Sequence, residues 1–436
     1  MAQFRKDTHK YLPQETTIFE VMMLADQYGN LVGPANPSGM SVDAFGRARM
    51  SMPLTLFDSS HRYKDNGLWV QSNSSGTTIT FSPNEGLVNL SIGTTTSQEI
   101  IRETTKVFSY QPGKSLQIMS TFVMANSQLN LTQRVGYFGA NNGIYLEQAN
   151  GDIYFVERTS SSGAMTENKV AQADWNIDTL LGAVEGSPSQ KTLDLTKAQI
   201  FFTDIEWLGL GSVRCGFVID GQLIHCHSFH HANRITSTYM TTASLPLRYE
   251  IKNVGPTGNS STLKQVCSTV ISEGGYELRG VQQAIGHQIN LPRDLPTGNT
   301  EYPVLSLRLK SDKNDAIVIP TAISLLGIGN NGRFLWKLIS NPTLGNTSWQ
   351  SAGTESAVEY DLSANTISGG RVAAQGYFAS DTQSVMPVQI LKEALFKFQL
   401  ERNSLTGNSY PLTISVTSLN SGDDVLATMD WEEISR

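Results

Sequence analysis

Asp204 and Glu206 stand two residues apart in the segment Ile200-Phe-Phe-Thr-Asp-Ile-Glu-Trp207. Ile200, Phe202, Asp204 and Glu206 alternate with Phe201, Thr203, Ile205 and Trp207, the period of a β-strand, so both carboxylates would share one face. Two carboxyls held about 5 Å apart can carry out a retaining glycoside hydrolysis, one as nucleophile and one as acid/base. The preceding position of the same face, however, is Phe202, and a ring cannot act as a nucleophile. Asp204, Glu206 and the adjacent Trp207 then read as candidate ligand-binding residues, or as a strand whose polar face meets a neighbouring loop. The second cluster is His225-Cys-His-Ser-Phe-His-His231. On a regular strand His225 and His227 point the same way, and an i, i+2 pair of imidazoles can hold zinc or nickel. No spacing nominates the remaining ligands, so the plainer reading is imidazoles bonded to loops or to another subunit. Protonation of this cluster between pH about 5 and 7 would then loosen an interface. No metal, cofactor or catalytic set is expected.

Tyr137, Phe138, Tyr145, Tyr154, Trp175 and Trp349 lie near turn signals. Aromatic faces beside Asn and Gly suit sugar stacking, but the same residues also fill β-sandwich cores. Gly136, Gly139, Gly143 and Gly151 punctuate hairpins and precede no helix, so they form no phosphate loop. No Ser-His-Asp or Cys-His order with a family signature occurs.

The elements that would position these residues are strands. Val213–Ile219 and Gln222–Phe229 flank Asp220-Gly221, a type I′ hairpin signal because both central residues accept a positive φ. Roughly a dozen strand patterns fall between residues 65 and 285. Residues 163–190 read as an irregular loop with one short helix near Asp178, and 390–398 fits either a strand or a helix. Residues 1–64 read as an extended N-terminal arm or adaptor, and 65–288 as an antiparallel β-sandwich. The Pro-rich run from Asn290 to Pro303 marks a linker spanning 289–302, and 303–436 reads as a C-terminal β-rich domain. The fold class is therefore all-β: an arm, a sandwich and a second C-terminal sandwich.

Hydrophobic residues make up 39% of the 436 and charged residues only 16%, a composition that favours sheets with neutral polar surfaces. A net charge of -7 argues against broad nucleic-acid binding. No apolar run approaches the roughly 18 residues of a membrane span. The N-terminus lacks the apolar core of a signal peptide. Cys215, Cys226 and Cys267 are an odd number without paired spacing, which points to synthesis in a reducing cytosol.

Two resemblances bear on these residues. The strand Asp204-Ile-Glu-Trp-Leu-Gly209 resembles the signature strand of laminarinase-like glucanases, which have a concanavalin-like jelly-roll fold. That motif places Glu, Asp and Glu at alternate positions. Asp204 and Glu206 match the second and third, while Phe202 replaces the nucleophile, so the resemblance implies the jelly roll and not the hydrolysis. Asp43-Ala-Phe-Gly-Arg47, Pro53-Leu-Thr-Leu-Phe-Asp58, His61-Arg-Tyr63 and the block 200–251 resemble virion structural proteins of tailed bacteriophages. These are β-rich oligomeric parts of tails, fibres, baseplates or head decorations.

The resemblance implies a non-enzymatic structural protein, made in the host cytoplasm and located in the virion. It would assemble through its arm as a homo-oligomer, a trimer by the habit of such assemblies, with other virion proteins. The alternative is a host-glycan-binding adhesion module on a lectin-like jelly roll.

Overall fold

Strands dominate because the sequence alternates inward apolar and outward polar side chains over short runs closed by Asn, Asp and Gly turns. The computed structural model describes residues 52–65, 67–275, 277, 279–313, 315–329, 331–380 and 398–434, and the backbone of 24–25 and 31–32. Residues 1–52 and 53–436 form two compact units. In the first, Leu24–Ala25 pairs antiparallel with Leu31–Val32. The Asp43–Arg47 motif and nearly all of 390–398 lie outside the described residues.

The second unit begins with a two-sheet sandwich. One sheet has seven antiparallel strands, in the order Thr166–Ala171, Asp152–Thr159, Gly143–Ala149, Leu131–Phe138, Leu247–Asn253, Glu99–Thr104 and Trp69–Asn73. The other has eight. Gln222–Phe229, Val213–Ile219, Gln199–Ile205, Ser115–Val123, Ser261–Glu273, Leu87–Ile92 and Thr78–Ser82 lie side by side, and Pro53–Ser60 pairs with the far half of Ser261–Glu273. Strands distant in sequence lie side by side in both sheets, as in a jelly roll. Phe57, Ile118, Val135, Phe155, Phe201, Phe217 and Tyr249 come from both sheets into one buried core. Trp175 stacks on Phe155 at 4.1 Å between ring centres.

Pro53–Ser60 is thus a sheet strand, although it lies in the stretch read as an arm. The predicted Asp220-Gly221 hairpin is present, with φ of 53° and 74°. Residues 163–190 contain an edge strand, Thr166–Ala171, and one 3₁₀ turn, Gln172–Asp174, in place of a helix near Asp178. Asp178 is buried, and its carboxylate accepts the backbone N–H of Leu180 and of Ser189, each at 2.9 Å. A side chain that satisfies loop amides in this way competes with helix formation.

Two further sheets enclose a second core around Trp431, Val304, Leu338 and Ile414. The larger orders Gln350–Ser351, Val358–Asp361, Glu301–Leu309, Leu412–Ser418, Arg333–Ser340 and Arg371–Ala379. In the smaller, Asp423–Ile434 pairs with Ile317–Ile328, Val281–Gly286 and Arg293–Leu295. The last strand lies inside the stretch read as a linker. The segment 399–402 joins the two halves. Gln399 Nε2 donates to the Val107 carbonyl at 3.0 Å, Leu400 N–H to Val318 at 2.9 Å, and Arg402 N–H to Thr105 at 3.0 Å.

Candidate functional site

Phe201 and Ile205 enter the core, so Phe202 and Asp204 face outward from the eight-stranded sheet. Phe202 is nonetheless fully buried. Its ring lies 5.3 Å from that of His225 and passes under Gly216, where a Cβ would come within 2.7 Å of the ring. Glycine at 216 is therefore what admits the ring. The position that a glycoside hydrolase strand would give to its nucleophile is packed with hydrocarbon.

Asp204 pairs across the sheet with Gln117 and Arg214, whose Nη1 is 3.9 Å from the carboxylate. Burial pushes the Asp204 carboxyl up, Glu273 adds to this, Arg214 opposes it and Glu206 adds a smaller push, to about 6. Glu206 leaves the strand. Pairing ends at Ile205, and Leu210 and Gly211 both donate to the Trp207 carbonyl in a tight turn. The exposed Glu206 carboxylate accepts the N–H of Ser212 at 3.4 Å. The chain thus turns at the residue whose strand position would have completed an acid pair.

Trp207 packs against the sandwich core, sets its edge on Tyr110 at 5.9 Å, and donates its indole N–H to the Met240 carbonyl at 3.3 Å. With Lys114, Glu277, Arg279 and Ile434 these two aromatics line a cavity of about 490 Å³.

The histidines do not act together. Cys215 pairs with His227, but Gly216 pairs with His225, so Cys226 is an inserted residue, a β-bulge. The bulge cancels the period of two. His225 lies over Phe202 outside the sheet, while His227 turns inward, 6.4 Å from the Phe155 ring and 4.6 Å from Phe229. His227 Nδ1 accepts the Asn176 N–H at 3.3 Å. Burial, then Arg214, lowers the His225 pKa; burial, then His230, lowers that of His227 to about 4. His227 therefore charges below the pH window expected for a cluster switch. His231 stacks on Tyr239 and bonds Glu157 at 2.7 Å. Among the described residues no group of three His, Cys, Asp or Glu could hold a metal ion, and no helix is long and apolar enough to cross a membrane.

Of the aromatic set, Tyr137, Phe138, Tyr145 and Trp175 are buried, and Trp349 lies under the Arg308 guanidinium at 4.1 Å. Sequence reasoning missed the outer face of the seven-stranded sheet. Arg134 donates to Glu147 at 2.6 Å and to Glu250 at 2.7 Å, Lys169 reaches Glu147 at 2.6 Å, and Arg158 meets Glu167 at 2.7 Å. Arg248 bonds Glu250 at 3.0 Å and Glu103 at 3.4 Å. The signal was present: Arg248, Glu250 and Lys252 alternate with Leu247, Tyr249 and Ile251.

No protein-family model and no curated protein matches the chain. Among solved structures, a Bacillus licheniformis β-glucanase aligns over 52% of this chain and 99% of its own, at TM-score 0.31 and 12% identity. The CBM2 module of the evolved Dit of Lactobacillus casei BL23 phage J-1 aligns over 52% and 100%, at TM-score 0.35 and 4% identity. A legume lectin-like domain from Entamoeba histolytica aligns over 51% and 99%, at TM-score 0.31 and 9% identity. Likeness at this level assigns neither family nor activity. The fold itself defines the class: an all-β protein of two antiparallel sandwiches, the first a jelly roll.

The raised Asp204 carboxyl makes a pH-dependent prediction. A folded-state value near 6 against an ordinary 3.8 means that the native state binds the extra proton between those values. Stability from this group falls as pH rises through that window and stays lower above it. Asp204→Asn should therefore stabilise the protein at pH 8, on the order of 2 kcal/mol, and leave it nearly unchanged at pH 4. Urea unfolding at the two pH values measures this, and an equal effect at both would show that Asp204 is not the titrating group.

Proposed function

We propose that this chain is a non-enzymatic structural component of a tailed-phage virion, in the tail, fibre, baseplate or head-associated layer. It would attach through its N-terminal stretch and work as a homo-oligomer among other virion proteins. The observation that carries the non-catalytic part is Phe202, sealed where a hydrolytic strand would hold its nucleophile. The hydrogen-bonded junction of the two sandwiches supports a load-transmitting building block. The resemblance of the Asp43–Arg47 and Pro53–Asp58 motifs supports the virion setting.

Because Pro53–Ser60 is a strand of the eight-stranded sheet, a clean test removes residues 2–52 and no more. The truncated chain should fold, with a melting transition like that of the full chain, and should be missing from purified particles. Normal incorporation would refute attachment through this stretch, and absence of the full chain from particles would refute the virion reading itself. A second reading, recognition of host-surface glycans, is favoured by one observation: a polar cavity of about 590 Å³ between the sandwiches, lined by Glu103, Arg248, Asp315 and Arg402.

A further inference from the structure

His231 is buried, at 5% exposure, and both of its ring nitrogens meet acceptors. Nδ1 lies 2.5 Å from the Gly211 carbonyl oxygen, and Nε2 lies 2.7 Å from the Glu157 carboxylate. A carbonyl and an ionised carboxylate only accept, so each nitrogen must donate. Neutral imidazole has one N–H, and the imidazolium has two. The contacts therefore select the charged ring. A second observation agrees. The ring lies flat on Tyr239, at 4.0 Å between centres and 6° between planes, and an aromatic face attracts a cation.

Three elements meet at this ring. Glu157 lies on Asp152–Thr159, two residues from the core ring of Phe155, so its carboxylate points between the sheets. His231 follows Gln222–Phe229, the edge strand of the eight-stranded sheet. Gly211 belongs to the turn 206–212, which carries Glu206 and Trp207. The Tyr239 hydroxyl donates to the Glu206 carbonyl of the same turn at 3.2 Å. Leu208 in this turn has a φ of 38°, a conformation strained for a branched side chain. Such backbone persists only where its surroundings hold it. His231 supplies one of the bonds that hold it.

Each packed element contributes titratable or charged groups around the ring. Glu157 comes from the seven-stranded sheet and the buried Cys215 thiol, which feels Glu157, from the eight-stranded one. Arg234 and His230 lie on the loop of His231 itself, Tyr239 on the chain beyond it, and Glu206 on the turn. We propose that His231 is a doubly protonated latch that ties the 206–212 turn and the edge of one sheet to the other sheet, and that loss of one proton on raising the pH frees the turn and Trp207. The deprotonated Nε2 would turn a lone pair toward the Glu157 carboxylate. Burial alone would lower the His231 pKa, but the Glu157 bond and then the Gly211 bond more than reverse this against Arg234, so it lies above the ordinary 6.5. Stability from this group is therefore full below 6.5 and is lost as pH rises through the folded-state value. The sign is opposite to that of a histidine cluster that loosens on protonation.

The test follows two NMR signals of the full chain between pH about 5.5 and 9. Isotope-labelled histidine reports the protons on each ring nitrogen, with His231 assigned by its loss in His231→Gln. Fluorinated tryptophan reports Trp207, assigned by its loss in Trp207→Phe. His231 should carry two N–H groups at the acid end and lose one with a midpoint above 6.5, and the Trp207 signal should change at that same midpoint. Glu157→Gln keeps the shape and offers an amide that bonds either form of the ring, so both midpoints should fall together, by about 1–3 pH units. Arg234→Gln, at an exposed position, removes the opposing charge and should raise both by about 0.2–0.5 pH units at low salt. It keeps a readout if the Glu157 variant does not fold. A His231 midpoint below 6.5, or a single ring N–H at the acid end, would overturn the latch. A Trp207 signal that stays flat through the His231 midpoint, or fails to move with it in the variants, would overturn release of the turn.

Discussion

Arg134→Met is expected to lower stability by about 3–5 kcal/mol at pH 7, the usual result of removing one member of a buried ionic network. Arg134 lies between Glu147 and Glu250, at 1% and 3% side-chain exposure, and bonds both. Burial alone would push its guanidinium pKa down, but Glu250, Tyr145 and Glu147 more than reverse this. Burial alone would also raise Glu250, yet Arg134 and then Arg248 hold it below the ordinary carboxylate range. The two partners thus agree in direction. Methionine keeps the hydrocarbon volume and removes the charge, so Glu147 is left to Lys169 and Glu250 to Arg248 and Lys252.

The sign with pH follows from Glu250. A carboxyl depressed in the folded state contributes stability that is present above its ordinary value and lost as pH falls below it. The gap between parent and variant should be widest at neutral pH and narrow below pH about 4. Urea midpoints at pH 7 and pH 3.5 measure it. Lys264→Met is the control, because its pair with Glu85 at 2.7 Å is 35% and 46% exposed. An exposed pair contributes about 0–1 kcal/mol, so this change should be nearly silent. If Arg134→Met proves equally silent at pH 7, the network does not stabilise the sheet.

Why one part of this molecule was legible and another was not comes down to the range of the interaction involved. The strand read over 200–207 and the Asp220-Gly221 hairpin depend on neighbours within a few residues; the hairpin is present as read, and the strand is present but ends at Ile205, short of Glu206. The His225–His227 pair failed because a single inserted residue, Cys226, inverts the face of everything beyond it. Nothing local marks that bulge; it is set by pairing with Cys215 and Gly216 on the neighbouring strand. Phe202 was visible as a missing carboxylate, but not as a ring sealed beneath His225 and Gly216. The Arg248–Arg402 cavity was beyond reach for the same reason: its walls are brought together from positions 103, 140, 248, 315 and 402 by two sandwiches meeting. The edge strand Thr166–Ala171 escaped because an exposed edge need not alternate.

Arg402→Leu should separate the melting of the two sandwiches. Arg402 is the one cation that touches both carboxylates across the junction, Asp315 at 2.9 Å and Glu103 at 4.0 Å, among the described residues. Glu103 is 2% exposed in its side chain, and burial raises its pKa against the pull of Arg248 and then Arg402. Leucine would leave this carboxylate facing Arg248 alone. The expected loss is about 1–3 kcal/mol, because the buried Glu103 carboxylate keeps only its 3.4 Å bond to Arg248. Since the backbone bonds of 399–402 persist, the loss should weaken the junction more than either core. Calorimetry should then resolve two transitions where the parent shows one. Glu103→Leu added to Arg402→Leu removes the stranded charge, and replacement of a buried pair by apolar groups is often neutral. The double variant should therefore recover most of the loss and restore a single transition. Should the single variant instead unfold in one step within about 2 °C of the parent, Arg402 does not couple the sandwiches. Should the double variant be no better than the single, the penalty comes from lost packing and not from the stranded Glu103 charge.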